Sequence, residues 1–193
     1  MQRILDLGCG TGDSWRNLGS NVEEWAVIGI EPEWQRTVLA SAKYGERGWR
    51  YLCGRGESLP LRDRSVDGVI CRGALPYMTI PKALEELHRV LVPEGWLRVS
   101  LHPMGFAWSE LRKCFPRPRA SAYRAFVILN GLYLHMTGRV MQLGSRTESC
   151  QTEKGIETAL RRAGFANVEF RYPDWRFVVE ARRPAEHVVR IAA

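Results

Sequence analysis

The amino-acid sequence predicts an α/β protein: a doubly wound, mostly parallel sheet of seven strands with helices on both faces. An antiparallel C-terminal hairpin closes it, and an insertion follows the fifth strand. Three observations lead there. The chain opens on a short apolar run, Ile4-Leu5-Asp6-Leu7, that passes into alternating glycines and then a helix-like segment. Apolar runs and stretches of helical period alternate up to residue 102, as βαβ units require. Two β-like runs, 166–172 and 176–182, flank the turn signal Pro173-Asp174.

Composition sets the bounds. A chain of 193 residues, 45% hydrophobic and 25% charged, suits one soluble globular domain over 1–193. Its five cysteines are scattered and none has C-x-x-C spacing, so neither a disulfide framework nor a zinc site is expected. A reducing, cytoplasmic setting fits, and no signal-peptide pattern opens the chain. The most apolar stretch, Ala125 to Leu134, is interrupted by Asn130 and falls short of the ~20 residues a membrane span needs. The net charge of +7 lies wholly in residues 101–193, which hold 15 basic and 8 acidic side chains. An anionic partner, nucleic acid included, accounts for that excess; so does compositional bias, since 24 of the 28 basic residues are Arg.

After the first strand come Gly8, Gly10 and Gly12, spaced G-x-G-x-G rather than the G-x-G-x-x-G that seats a pyrophosphate. Glycines here let main chain turn tightly and approach a ligand. Asp13 or Ser14 can cap the helix that follows. A second strand, Glu24 to Ile30, ends at Glu31, where this architecture places ribose hydroxyls and where a carboxylate can accept both. Pro32 to Tyr44 reads as a helix, with Pro32 at its first position and Trp34, Val38 and Ala42 at i, i+4, i+8. Short strands follow at Trp49 to Cys53 and Val66 to Cys71, the latter opening into a loop from Arg72 to Met78. Pro81 to Leu91 is an amphipathic helix with Leu84, Leu87 and Val90 on one side. Pro93-Glu94-Gly95 turns it into a fifth strand, Trp96 to Leu101. His102, just beyond that strand, has a side chain suited to general-base work, or it simply caps the strand exit.

The string D-L-G-C-G-T-G-D resembles motif I of the class I S-adenosylmethionine-dependent methyltransferases, which are Rossmann-like. The segment G-R-G-E-S-L-P-L-R-D-R-S-V-D, residues 54–67, is similar to one found in the ubiquinone- and menaquinone-biosynthesis type. The resemblance implies S-adenosylmethionine as cofactor, S-adenosylhomocysteine as product and no metal. It implies cofactor contacts from Asp6, Gly8, Cys9, Gly10, Gly12, Glu31 and Cys71. Arg55 stands where such enzymes carry the acid that meets adenine, and a guanidinium cannot accept. Adenine recognition is therefore expected from Gly56 and Glu57. The strand-end loops place Arg72 and Tyr77 at the methyl-transfer face, with His102 or Tyr77 as candidate bases and His135 a weaker one.

Residues 103–150 are the least family-like and read as a substrate lid. A basic loop (Arg112, Lys113, Arg117, Arg119, Arg124) precedes an aromatic and aliphatic helix containing Tyr123 and Tyr133. Such walls suit a small lipophilic or planar acceptor bearing an anionic group; a lid helix packed on the sheet has the same pattern. Thr152 to Ala163 is a helix capped by Thr152 and ended by Gly164. The leading expectation is methyl transfer to a small molecule. RNA as acceptor, or a non-catalytic cofactor-binding partner subunit, are the alternatives, and oligomeric state is not legible.

Overall fold

The computed structural model describes residues 1–13, 24–173 and 177–185. The expected helix after the glycine turn, Arg176 and the tip of the closing hairpin lie outside them. Seven strands form one sheet: β1 (Gln2–Leu7), β2 (Trp25–Glu31), β3 (Arg50–Cys53), β4 (Val66–Arg72), β5 (Leu91–Leu101), β6 (Ala166–Arg171) and β7 (Phe177–Arg182). Their order is β3-β2-β1-β4-β5-β7-β6. The first five run parallel, and β7 lies antiparallel between β5 and β6.

Alternation along β1 shows how the sheet is covered. Leu5 and Leu7 point into a core with the helices α2 (Ile80–Val90) and α5 (Glu153–Arg162), through Leu84, Leu87, Ile156 and Leu160. Ile4, one residue out of phase, joins a second core on the opposite face with Ala40 and Tyr44 of α1 (Trp34–Tyr44). Thr152 caps α5 by accepting from the Gly155 N–H at 3.2 Å, as its sequence predicts.

Two elements differ from expectation. Helix α1 starts at Trp34, so Pro32 precedes it, and Trp34 and Val38 are exposed. The buried face is Thr37, Ala40 and Tyr44; the Thr37 hydroxyl donates to the carbonyls of Glu31 and Glu33, which fixes the helix's rotation. Pro93-Glu94-Gly95 does not break the chain. β5 already begins at Leu91, and the pairing of β4 jumps from Val66↔Leu91 to Gly68↔Trp96, leaving a bulge with Glu94 in left-handed backbone at φ 63°.

The segment 54–67 turns out to be held largely by α2. Arg89 binds the Asp63 carboxylate and Glu86, each at 2.7 Å, and the carbonyls of Leu59 and Leu61. Glu86 in turn accepts the Leu59 N–H at 2.7 Å, and Asp67 accepts the Arg3 N–H at the same distance.

The insertion is an antiparallel helix pair, α3 (Met104–Cys114) and α4 (Pro118–Thr137). Much of the expected basic loop is therefore helix, with only the corner between the two irregular. The irregular return segment, 141–151, is held to α4 chiefly by one side chain. Asn130, fully buried on α4, donates to the carbonyls of Met141, Thr147 and Glu148 and accepts the Met141 N–H at 2.6 Å. Replacing Asn130 with Leu leaves those groups unpaired in a dry site, so we expect a loss of ~2–4 kcal/mol in urea unfolding. An unchanged midpoint would show that the return segment is held otherwise.

Candidate active site

In an open α/β sheet the crevice lies beyond the carboxyl ends of the strands where their order reverses, here between β1 and β4. A cavity of about 480 Å³ sits there, lined by Gly8 and Gly10, by Glu31, Pro32 and Arg36, by Arg55 to Glu57, and by Arg72 to Ala74 with Tyr77 and Met78. The glycine turn is tied to the end of β2. The N–H groups of Gly8 and Cys9 both donate to the Ile30 carbonyl, at 2.8 and 3.3 Å. The buried Glu31 carboxylate accepts the Gly10 N–H at 3.1 Å and the Glu33 N–H at 3.3 Å. A carboxylate offers about four acceptor positions, so capacity remains for two more donors.

Glycine is required at Gly8, where φ is 72° and a Cβ would come within 2.3 Å of the Ala74 side chain. Gly10 also has left-handed backbone, φ 57°, and a Cβ there would meet no atom of the described residues within 4 Å. Its bare Cα lines the cleft.

Several residues expected at the cofactor are not among the cleft's lining. Cys9 is buried in the core against Tyr51 and Gly29, and Cys71 is buried on the opposite face. Gly12 packs on α1, where a Cβ would strike the Tyr44 ring at 2.8 Å. Asp6, 1% exposed, lies behind the cleft and binds Arg72 Nη2 at 2.9 Å. Two-residue periodicity explains the pairing: Asp6 is opposite Ile70, and Arg72 is the next residue on that side of β4. The sequence marked both residues but gave no sign that they meet. Glu57 lines the cleft, with one oxygen already accepting the Thr79 N–H at 2.8 Å.

Tyr77 lines the cleft and meets His102 edge to face, ring centroids 5.9 Å apart, with Phe106 a third ring 5.2 Å from His102; His102 and Phe106 are not themselves among the lining residues. Partial burial, with Glu148 nearby, holds the Tyr77 phenol above its ordinary pKa. It is therefore protonated at neutral pH and suited to donate rather than to act as base. The return segment grips Tyr77 and His102: the Thr147 hydroxyl donates to the Tyr77 carbonyl, and the Gln151 side chain accepts the His102 N–H. Tyr123 does not reach the cleft; it donates to Glu148 at 2.7 Å inside the insertion. Tyr133 is not among the lining residues either. His135 meets Thr152 at the start of α5, which removes it as a base. No group of residues arranged to hold a metal occurs among the described residues.

The family model described as a methyltransferase domain matches residues 5–99. Over that half of its length the chain is similar to the class I S-adenosylmethionine-dependent methyltransferases. A malonyl-[acyl-carrier protein] O-methyltransferase of Pectobacterium atrosepticum is 36% identical over 56% of this chain and 44% of its own length. A demethylmenaquinone methyltransferase of Thermus thermophilus is 29% identical over 86% of this chain and 74% of its own. The chain thus spans less than half the length of the first of these relatives. Among solved structures, the CMeT domain of the citrinin polyketide synthase superposes with a TM-score of 0.69 over 96% of this chain and 47% of its own, at 13% identity. A methyltransferase from Thermotoga maritima gives 0.64 over 95% and 82%, at 19% identity. These two share the fold.

The residues present fit the family's cofactor. The bare Cα of Gly10 in the cleft lining admits a close main-chain approach, Glu31 retains acceptor capacity, and Ala74 and Met78 give apolar contact. The buried thiols should be inert: burial pushes Cys9 and Cys71 up to about 12 and Cys150 to about 11. At pH 8 a thiol of pKa 12 is about one part in ten thousand thiolate. Alkylation mapped by peptide mass spectrometry should mark exposed Cys53 in the native protein and the buried three only after unfolding. Native labelling of Cys71 at the rate of Cys53 would contradict that placement.

Proposed function

We propose that this methyltransferase acts on a small lipophilic or planar acceptor that carries an anionic group. One observation carries the reading. A single cleft joins the Gly8–Gly10 turn and buried Glu31 to a wall of Ala74, Tyr77 and Met78, with the guanidinium groups of Arg36, Arg55 and Arg72 among its lining. Bound S-adenosylmethionine supplies an electrophilic methyl group together with its leaving group. The protein's task is then orientation, which accounts for ~7–11 kcal/mol of barrier in well-aligned reactions.

Glu31 takes the ribose hydroxyls on its remaining lone pairs. Gly8 and Gly10 lie under the amino-acid end, and backbone at Gly56 with the second oxygen of Glu57 meets adenine. Arg72, lining the cleft, offers its positive charge to an acceptor carboxylate or phosphate. Its pairing with Asp6 matters, because an uncompensated guanidinium would repel a sulfonium. Tyr77 donates a hydrogen bond to the acceptor, and His102 takes a proton where the nucleophile must lose one. The insertion, residues 103–150, acts as the lid on the acceptor side, fixed to Tyr77 and His102 through Thr147 and Gln151. Five unpaired thiols support a cytoplasmic setting. The relatives named for malonyl-[acyl-carrier protein] and for demethylmenaquinone fit an acceptor that is anionic, lipophilic or both.

Labelled S-adenosylmethionine offered with a malonyl thioester and with a demethylated quinol tests the proposal. Transfer to either, lost in Arg72→Gln for the anionic acceptor, supports it; transfer only to RNA would overturn it. Calorimetry should show Glu31→Ala weakening cofactor binding by ~1.5–3 kcal/mol, the scale of hydrogen bonds to a charged group. Unchanged affinity would remove Glu31 from its role.

A further inference from the structure

We propose that the corner between α3 and α4 is a docking surface for an anionic phospholipid bilayer. Gly105, Trp108 and Arg112 fall at i, i+3 and i+7 on α3, with Phe115 three residues on, so they form one stripe. That stripe is exposed: Trp108 by 49% and Phe115, at the apex of the corner, by 80%. A soluble surface rarely leaves two large aromatics bare two turns apart on one stripe unless something covers them.

Charge identifies what covers them. From Leu111 to Thr147 the chain contains no Asp or Glu, yet it contains seven Lys and Arg. Lys113 pairs with Glu110, and Arg124 with Glu110 and Glu148. Arg112, Arg117 and Arg119, which ring the corner, make no ion pair among the described residues. Aromatic side chains at an apex with cations around them match a headgroup boundary, where rings enter the interface and guanidinium groups meet lipid phosphates. Helix α4 carries an exposed apolar stripe of its own. By helical period Ala122, Leu129, Leu132 and Met136 share one side, and all four are exposed. Such an aliphatic stripe gives nothing to a nucleic acid but rests readily on acyl chains. No described helix is long and apolar enough to cross a membrane, so the contact is one of lying on the surface.

The inference stands apart from the methyl-transfer reading, because vesicle binding is measured with or without cofactor. In flotation assays the full chain should rise with vesicles of phosphatidylcholine plus phosphatidylglycerol and stay behind with phosphatidylcholine alone. High salt should release it. Each cation near such a surface changes partitioning about fivefold, so the triple variant R112Q/R117Q/R119Q should bind on the order of a hundredfold more weakly. Phe115→Ser should also weaken binding while leaving its salt dependence. Circular dichroism and the urea midpoint check that both variants keep the wild-type fold. Failure of the wild type to float with anionic vesicles, or equal flotation of folded variants, would overturn the proposal. So would retention by an acidic acyl carrier protein without any vesicle binding.

Discussion

The Glu31 carboxylate is the constraint on which the site depends. It is 6% exposed, and it reaches across from the end of β2 to take the Gly10 N–H while holding Glu33 at the start of α1. Two strand ends and a helix entrance are thereby fixed around one anion. A buried carboxylate is tolerable only where N–H donors or charge meet it, and both donors here are main chain. The group that shapes the glycine turn is thus also the group with acceptor capacity facing the cleft.

The division of labour within the glycine motif follows from strand geometry. Residues whose side chains point to either face of the sheet, Asp6, Cys9 and Cys71, are consumed by packing or by ion pairing. What remains at the cleft is mostly backbone, at Gly8, Gly10 and Gly56, plus the few side chains at strand ends. Arg72 is the clearest product of this arrangement. Its position on β4 puts it in the crevice, and Asp6 on β1 neutralises it from behind. The insertion works on the same logic one layer out, where buried Asn130 braces the segment that holds Tyr77 and His102.

Most of the fold was legible because its signals are local: glycine spacing, short apolar runs, the Thr152 cap and the helix with Leu84 and Leu87. The turn at Pro93-Glu94-Gly95 was misread because a bulge lets β5 absorb it, which depends on how β4 pairs. The apolar spacing of Trp34, Val38 and Ala42 marked helix α1 but not its buried face, which Thr37 sets through its hydrogen bonds to the Glu31 and Glu33 carbonyls. At the site, a motif locates a turn but cannot say which of its side chains turn inward, so Cys9, Gly12, Asp6 and Cys71 were placed at the ligand. The Asp6–Arg72 pair spans 66 positions and leaves no trace in spacing. Tyr123 and Tyr133 were chosen for their aromatic character, whereas Glu148, far along the chain, decides where Tyr123 points.

A crystal structure with S-adenosylhomocysteine tests the central claim most directly. The account predicts both ribose hydroxyls on the Glu31 carboxylate, with the amino-acid end over Gly8 and Gly10. A sugar bound away from Glu31, or the homocysteine moiety outside the turn, would contradict it.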